Sequence, residues 1–132
     1  MPSIFSKIVA GQIPCHKVAE TELYLAFLDI SPLAKGHTLV IPKQEVDYLF
    51  DLDDQLLSGL MLFAKQVAKA IERTVTCQRI GVAVIGLEVP HAHVHLVPMN
   101  SLHDLDFSKP RVKLSQEEYV HLAQAIAGNM AK

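Results

Sequence analysis

The sequence predicts an α+β domain, a largely antiparallel five-stranded sheet with one long central helix and a C-terminal helix. Three features of the chain predict it. Five short runs rich in β-branched and apolar residues (KVAE, ELYLAFLDI, HTLVIP, RIGVAVIG and VPHAHVHLVPM) are bounded by turn residues. Between the third and fourth runs the apolar period changes: Leu56, Leu60, Phe63, Val67 and Ile71 recur at helical spacing. Near the end, Ser115 and Glu118 form the Ser-x-x-Glu signature of a helix start. At 132 residues the chain is sized for one domain, taken as residues 1–132.

Ser3 caps a first short helix, IFSKIVA, which Gly11 and Pro14 stop. KVAE and ELYLAFLDI follow as strands around a turn at Thr21–Glu22, and DISPLAKGH is a loop punctuated by Pro32 and Gly36. HTLVIP is a buried strand ending at Pro42. The long helix covers LLSGLMLFAKQVAKAIERT, with Asp53 or Asp51 as its cap, and one face of it is apolar. RIGVAVIG and VPHAHVHLVPM are strands joined near Gly86. The stretch from Asn100 to Lys113 is polar and irregular, and QEEYVHLAQAIAGNM is the last helix.

Half the residues are hydrophobic, a fifth are charged and the net charge is -2. That balance does not suit a nucleic-acid binder, which neutralises phosphates with a basic surface. No apolar run is long enough to span a membrane, and MPSIFSKIVAGQIP lacks the apolar stretch of a secretory signal. Cys15 and Cys77 are read as free thiols in a reducing compartment, so a cytoplasmic location is expected.

The segment HAHVHLVPM places His91, His93 and His95 at alternate positions in a chain with seven histidines. In a strand that spacing sets the three imidazoles on one face and Ala92, Val94 and Leu96 on the other. Two ring nitrogens on such a row can meet one zinc, copper or nickel ion. Equally, a neutral imidazole can act as a nucleophile while a second one stabilises an anionic substrate or protonates a leaving group. A purely structural row of hydrogen-bonded rings is the weakest of the three readings. Spacing alone does not separate metal binding from catalysis.

The pattern His91, His93, His95, Leu96, Val97 resembles the histidine-triad (HIT) family, as do IFSKIVAGQIP and LAFLDISPLAKGHTLVIPK upstream in the same order. The resemblance spans roughly residues 3–99 and is closest to the Hint-type branch. It implies a HIT-like fold, a homodimer and a hydrolase or transferase acting on purine nucleoside phosphoramidates or related nucleotidyl compounds, with no cofactor. The alternatives are a dinucleoside polyphosphate hydrolase or a purine-nucleotide-binding module with little turnover. Carried over, His93 is the nucleophile on the α-phosphorus, His95 contacts the phosphate or bridging atom, and His91 organises the site. His37 supports the triad from the neighbouring strand. Asp29 binds the ribose hydroxyls, and Ile4, Phe5, Ile8, Phe27 and Ile30 form the apolar cleft for the base.

The chain departs from the family pattern in three places. Some bacterial relatives hold zinc through a CxxC pair near the N-terminus and a histidine after the IPK segment, where this chain has Ser3, Ser6 and Glu45. No metal is therefore expected. Leu87 and Glu88 replace the Gln and small hydroxyl residue before the triad, and GVAVIG lacks the usual Asn. MNSLHDLDF lacks the Gly-Gly-Arg segment that follows the triad in many Hint-type members. His16, His103 and His121 match no motif and are read as surface residues.

Overall fold

The computed structural model describes residues 2–130. Helix α1 (Ile4–Val9) starts where the Ser3 side chain accepts a hydrogen bond from Ser6 N. It ends before Gly11, whose φ of 78° suits glycine. Strands β1 (Lys17–Glu20) and β2 (Tyr24–Leu28) form a hairpin, closed by Thr21 N donating to Tyr24 O at 2.9 Å. Strand β3 (Thr38–Pro42) precedes the long helix α2 (Asp54–Glu72), capped by Asp53 rather than Asp51, its side chain accepting from Leu56 N. Strands β4 (Arg79–Ala83) and β5 (Val94–Met99) lead to helix α3 (Gln116–Gly128), which opens with the expected Ser115–Glu118 capping box.

The sheet order is β1-β2-β3-β5-β4, and every neighbouring pair is antiparallel. Both faces are covered at the centre. Tyr24, Ala26, Leu28, Val40, Val94 and Leu96 pack with the apolar faces of α2 and α3 in the main core. On the opposite face Leu25, Phe27, Leu39 and Ile41 pack with Phe5 of α1 in a second cluster. This double cover explains why β2 is buried at all five positions instead of alternating. Since Leu39 pairs with His95, the His95 side chain projects on the α1 face of the sheet.

The last strand is shorter than the sequence reading. It was expected from Val89 but begins at Val94, so His91 and His93 precede it. Pro90 has no N–H for a ladder. The backbone bonds of this approach go elsewhere: His91 N donates to Val89 O at 2.8 Å and Ala92 N to Val46 O at 2.7 Å. Likewise β4 ends at Ala83 rather than Gly86, and β2 covers only Tyr24–Leu28 of ELYLAFLDI. Two short 3-10 turns, Leu49–Asp51 and Leu102–Asp104, had no counterpart in the sequence reading.

Candidate active site

The four histidines of the motifs lie on or beside β3 and β5 and are all buried. They do not form a single row. His93 and His95 stand side by side, with ring centroids 4.9 Å apart. His91 is wholly buried, at 0% exposure. Both of its ring nitrogens are engaged, Nδ1 with Ser3 Oγ at 2.8 Å and Nε2 with Pro42 O at 2.8 Å. His91 therefore has no free ring nitrogen to share an ion with His93 or His95.

Hydrogen-bond partners assign the tautomers, because backbone groups have one role each. Leu33 N donates to His37 Nδ1 at 3.0 Å, so His37 carries its hydrogen on Nε2. That Nε2–H donates to His95 Nδ1 at 3.0 Å, which leaves His95 with its hydrogen on Nε2. His93 Nδ1 donates to the carbonyl of His91 at 2.7 Å, leaving Nε2 of His93 bare. The pair thus presents one nitrogen lone pair and one N–H donor.

Burial keeps the supporting rings neutral. His37 is lowered to about 3, first by desolvation and then by His95, Arg111 and Lys109. His95 is lowered to about 4, again chiefly by burial, then by His93 and Arg111. Asp29 is pushed up by burial, against the opposing pull of the Ser31 N–H, Arg111 and His93. Its Oδ1 accepts from Ser31 N at 2.8 Å, and its Oδ2 lies 3.5 Å from His37 Nε2. Ligand atoms of Asp29, His37 and His95 fall within 4.8 Å of one another. The hydrogen bond between the two rings already occupies the facing nitrogens, so hydrogen bonding accounts for this cluster.

The apolar residues divide. Phe5 and Phe27 meet edge-on at 5.5 Å, Ile8 packs against the same cluster, and Phe5 stands edge-on to His93 at 5.0 Å. Ile4 is exposed, and Ile30, 80% exposed, lines a separate depression with Ser31, Arg111 and Tyr119. A second cleft of about 290 Å³ opens on His93 and is lined by Tyr48, Phe50, Val84, Ile85 and Leu87, with Asp47 at its edge.

Several residues of the site escaped the sequence reading. Phe107 lies edge-on to the ring of His95 at 4.8 Å, although it belongs to the stretch read as irregular. Arg111 donates to Ser31 O at 2.7 Å and to Phe107 O at 3.2 Å, tying that stretch to the Asp29 loop. Tyr119 of α3 donates to Asp29 O at 3.0 Å. His16, expected at the surface, is half-buried and stacks on Tyr119 with ring centroids 4.7 Å apart. His103 and His121 are exposed, as are Leu87 and Glu88. A lone aromatic in a polar tail was the one available signal, for Phe107. The contacts of Arg111 with Ser31, and of Tyr119 with Asp29 and His16, join residues 80 or more positions apart and left no local trace.

Fold and site together define a class, a sheet that carries a buried imidazole pair with fixed and complementary tautomers. The HIT domain family model matches residues 10–102, and the chain belongs to that family. It is 40% identical over 133 residues to adenosine 5'-monophosphoramidase hnt1 of Schizosaccharomyces pombe, covering 98% of this chain and 99% of that one. Among solved structures, a Hit-like protein of Bartonella henselae superposes with a TM-score of 0.83 at 28% identity, covering 97% of this chain and 96% of that one. A Zn-bound histidine triad family protein of Mycobacterium smegmatis gives 0.81 at 30% identity, with 95% and 92% covered. Zinc does not fit the corner formed here by Ser3, Ser6, Glu45 and His91. Hydroxyls are poor zinc ligands, and His91 Nδ1, the remaining imidazole nitrogen, is bonded to Ser3.

Proposed function

We propose that this chain is a nucleotide hydrolase that cleaves at the α-phosphate of purine nucleoside phosphoramidates through a nucleotidyl-histidine. The observation that carries the reading is the tautomer pair, a bare His93 Nε2 beside a His95 Nε2–H. The lone pair of His93 Nε2 attacks the α-phosphorus, and the bond from phosphorus to the leaving nitrogen breaks. The leaving nitrogen takes a proton from solvent and departs as the amine. Water then attacks phosphorus, the bond to Nε2 breaks, the water's extra proton returns to solvent, and the nucleoside monophosphate leaves with the imidazole restored. The His95 N–H stands ready to bond a phosphoryl oxygen or the bridging atom, and it needs no reorganisation to do so.

Asp29 is assigned to the ribose hydroxyls, since a carboxylate can accept from both. Phe5, Ile8 and Phe27, which cluster beside His93, are assigned to the base. The cleft that opens on His93 favours an amine over a polyphosphate: its lining is largely aromatic and aliphatic, and the charged residue in it is an acid, Asp47. We also assign a homodimeric state, supported by the apolar edge at β4. The nearness of the hnt1 relative over nearly its whole length supports the same substrate class.

The decisive experiment traps the intermediate. Protein turning over an adenosine phosphoramidate is quenched in alkaline denaturant, because a P–N bond to imidazole is labile in acid, then digested and mass-mapped. A nucleotidyl group on His93 is expected. Its appearance on another histidine overturns the assignment, and so does turnover that leaves no adduct at any time point.

A further inference from the structure

Three segments distant in sequence meet at the buried ring of His91. Ser3 and Ser6 come from the start of α1, Glu45 from the loop after β3, and His91 from the approach to β5. Ser3 N and Ser6 Oγ both donate to Glu45 Oε1, at 2.6 Å and 2.7 Å. Ser6 N donates to Ser3 Oγ at 2.9 Å. Pro42 O can only accept, so His91 carries its hydrogen on Nε2 and its Nδ1 is an acceptor. The hydroxyl hydrogen of Ser6 is committed to the carboxylate, so the donor to His91 Nδ1 is the hydroxyl of Ser3, at 2.8 Å. Each hydrogen in the network then has one direction.

We infer that Ser3, Ser6 and Glu45 form a positioning clamp that sets the ring of His91 and, through the His91 carbonyl, keeps the Nε2 of His93 bare for reaction. The last link is the 2.7 Å bond from His93 Nδ1–H to His91 O. If the ring of His91 turns, its backbone shifts and that bond weakens. His93 can then place its hydrogen on Nε2, where the nitrogen is no longer a nucleophile. None of the three clamp residues is assigned to the substrate; they act through His91. Glu45 is exposed, yet its carboxylate is held down to about 2 by the Ser3 N–H and then the Ser6 hydroxyl. It is therefore an anion at any working pH.

The inference rests on the proposed reaction for its activity readout, and a second readout is independent of it. Imidazole ¹⁵N spectra report the tautomers of His91 and His93 without any substrate. In Ser3→Ala the bare-Nε2 form of His93 is expected to give way to a mixture. Phosphoramidate kcat is expected to fall by about tenfold, roughly the worth of one hydrogen bond, with KM little changed. Ser3→Thr, which keeps the hydroxyl, should restore most of the loss. Glu45→Ala, at an exposed position, should shift both readouts the same way and keeps the test open if Ser3→Ala does not fold. Wild-type tautomers in both alanine variants overturn the clamp, even if their melting temperatures drop. A wild-type protein without phosphoramidase activity overturns the proposed reaction instead, and the tautomer comparison still decides the clamp.

Discussion

At the residue scale, the buried imidazoles make the protein's stability depend on acid in a definite direction. His37 and His95 titrate near 3 and 4 in the folded chain, against about 6.5 when unfolded. Their folded values are depressed, so the unfolded state binds protons first as pH falls. The stabilisation is complete above about 6.5 and is lost as pH falls toward the folded values, by up to about 1.4 kcal/mol per pH unit for each ring kept neutral. Denaturant unfolding at pH 7, 6 and 5 should show this decline, and a flat profile would refute the neutral pair. The same bonds separate the two central histidines by role. His93→Ala should abolish turnover while nucleotide binding, measured by calorimetry, persists through Asp29 and the apolar cleft. His95→Ala should slow the reaction and still yield adduct on His93. Adduct loss in both variants would mean that the rings cannot be told apart in this way. His93, His95 and His37 were readable as candidates from the motif and its resemblance, but the orientation of His91 was not. A period of two places three residues on one face only while the chain is a strand, and the strand begins only at Val94, after His91 and His93.

At the element scale, most helices and strands could be read because their signals are local. Ser3, Asp53 and Ser115 cap helices where the sequence placed caps, each through its own side chain. Strand ends were read too long at Val84–Gly86 and at Val89–His93, in the second case because His91 N and Ala92 N bond to Val89 O and Val46 O outside the ladder. The stretch after β5 was read as irregular because nothing in its composition says that Phe107 covers His95 or that Arg111 anchors the return. Helix α2 shows how a tertiary contact overrides propensity. Gly59 lies in mid-helix, where alanine would ordinarily be better by about 1 kcal/mol. A Cβ there would stand 2.0 Å from the hydroxyl oxygen of Tyr24. That hydroxyl is buried and donates to Leu56 O at 2.9 Å. Gly59→Ala must displace Tyr24, so a net loss of about 1–3 kcal/mol is expected from strain and the broken bond. Equilibrium denaturation decides it, and a stabilised variant would show that Tyr24 moves aside at no cost.

At the scale of the whole molecule, the two edges of the sheet differ in their side chains. Among the described residues β1 pairs only with β2 and is packed by α3, while β4 pairs only with β5 and is packed by α2. Strand β1 exposes the charged Lys17 and Glu20 where β4 exposes the apolar Val82. An open, apolar edge is a template for pairing with another chain. Val82 and Ile85 are exposed at or just past this edge, Leu87 is 89% exposed, and Met61 and Leu62 are exposed on α2, which packs on β4. An apolar surface of this kind is expected to be covered, and a two-fold pairing of β4 with its copy would satisfy the ladder and the side chains together. Sedimentation equilibrium at micromolar concentration should therefore give about twice the 14.6 kDa chain mass. Val82→Lys should shift the protein to the monomer, because a charge on the pairing strand opposes its copy across the axis. Ile85 and Leu87 also line the cleft beside His93, so the monomeric variant should lose phosphoramidate kcat/KM as well, although residue 82 is outside that cleft. A wild-type chain sedimenting at the monomer mass, or a Val82→Lys protein that stays dimeric, would refute pairing through β4. A fully active monomer would show that the cleft is complete in one chain.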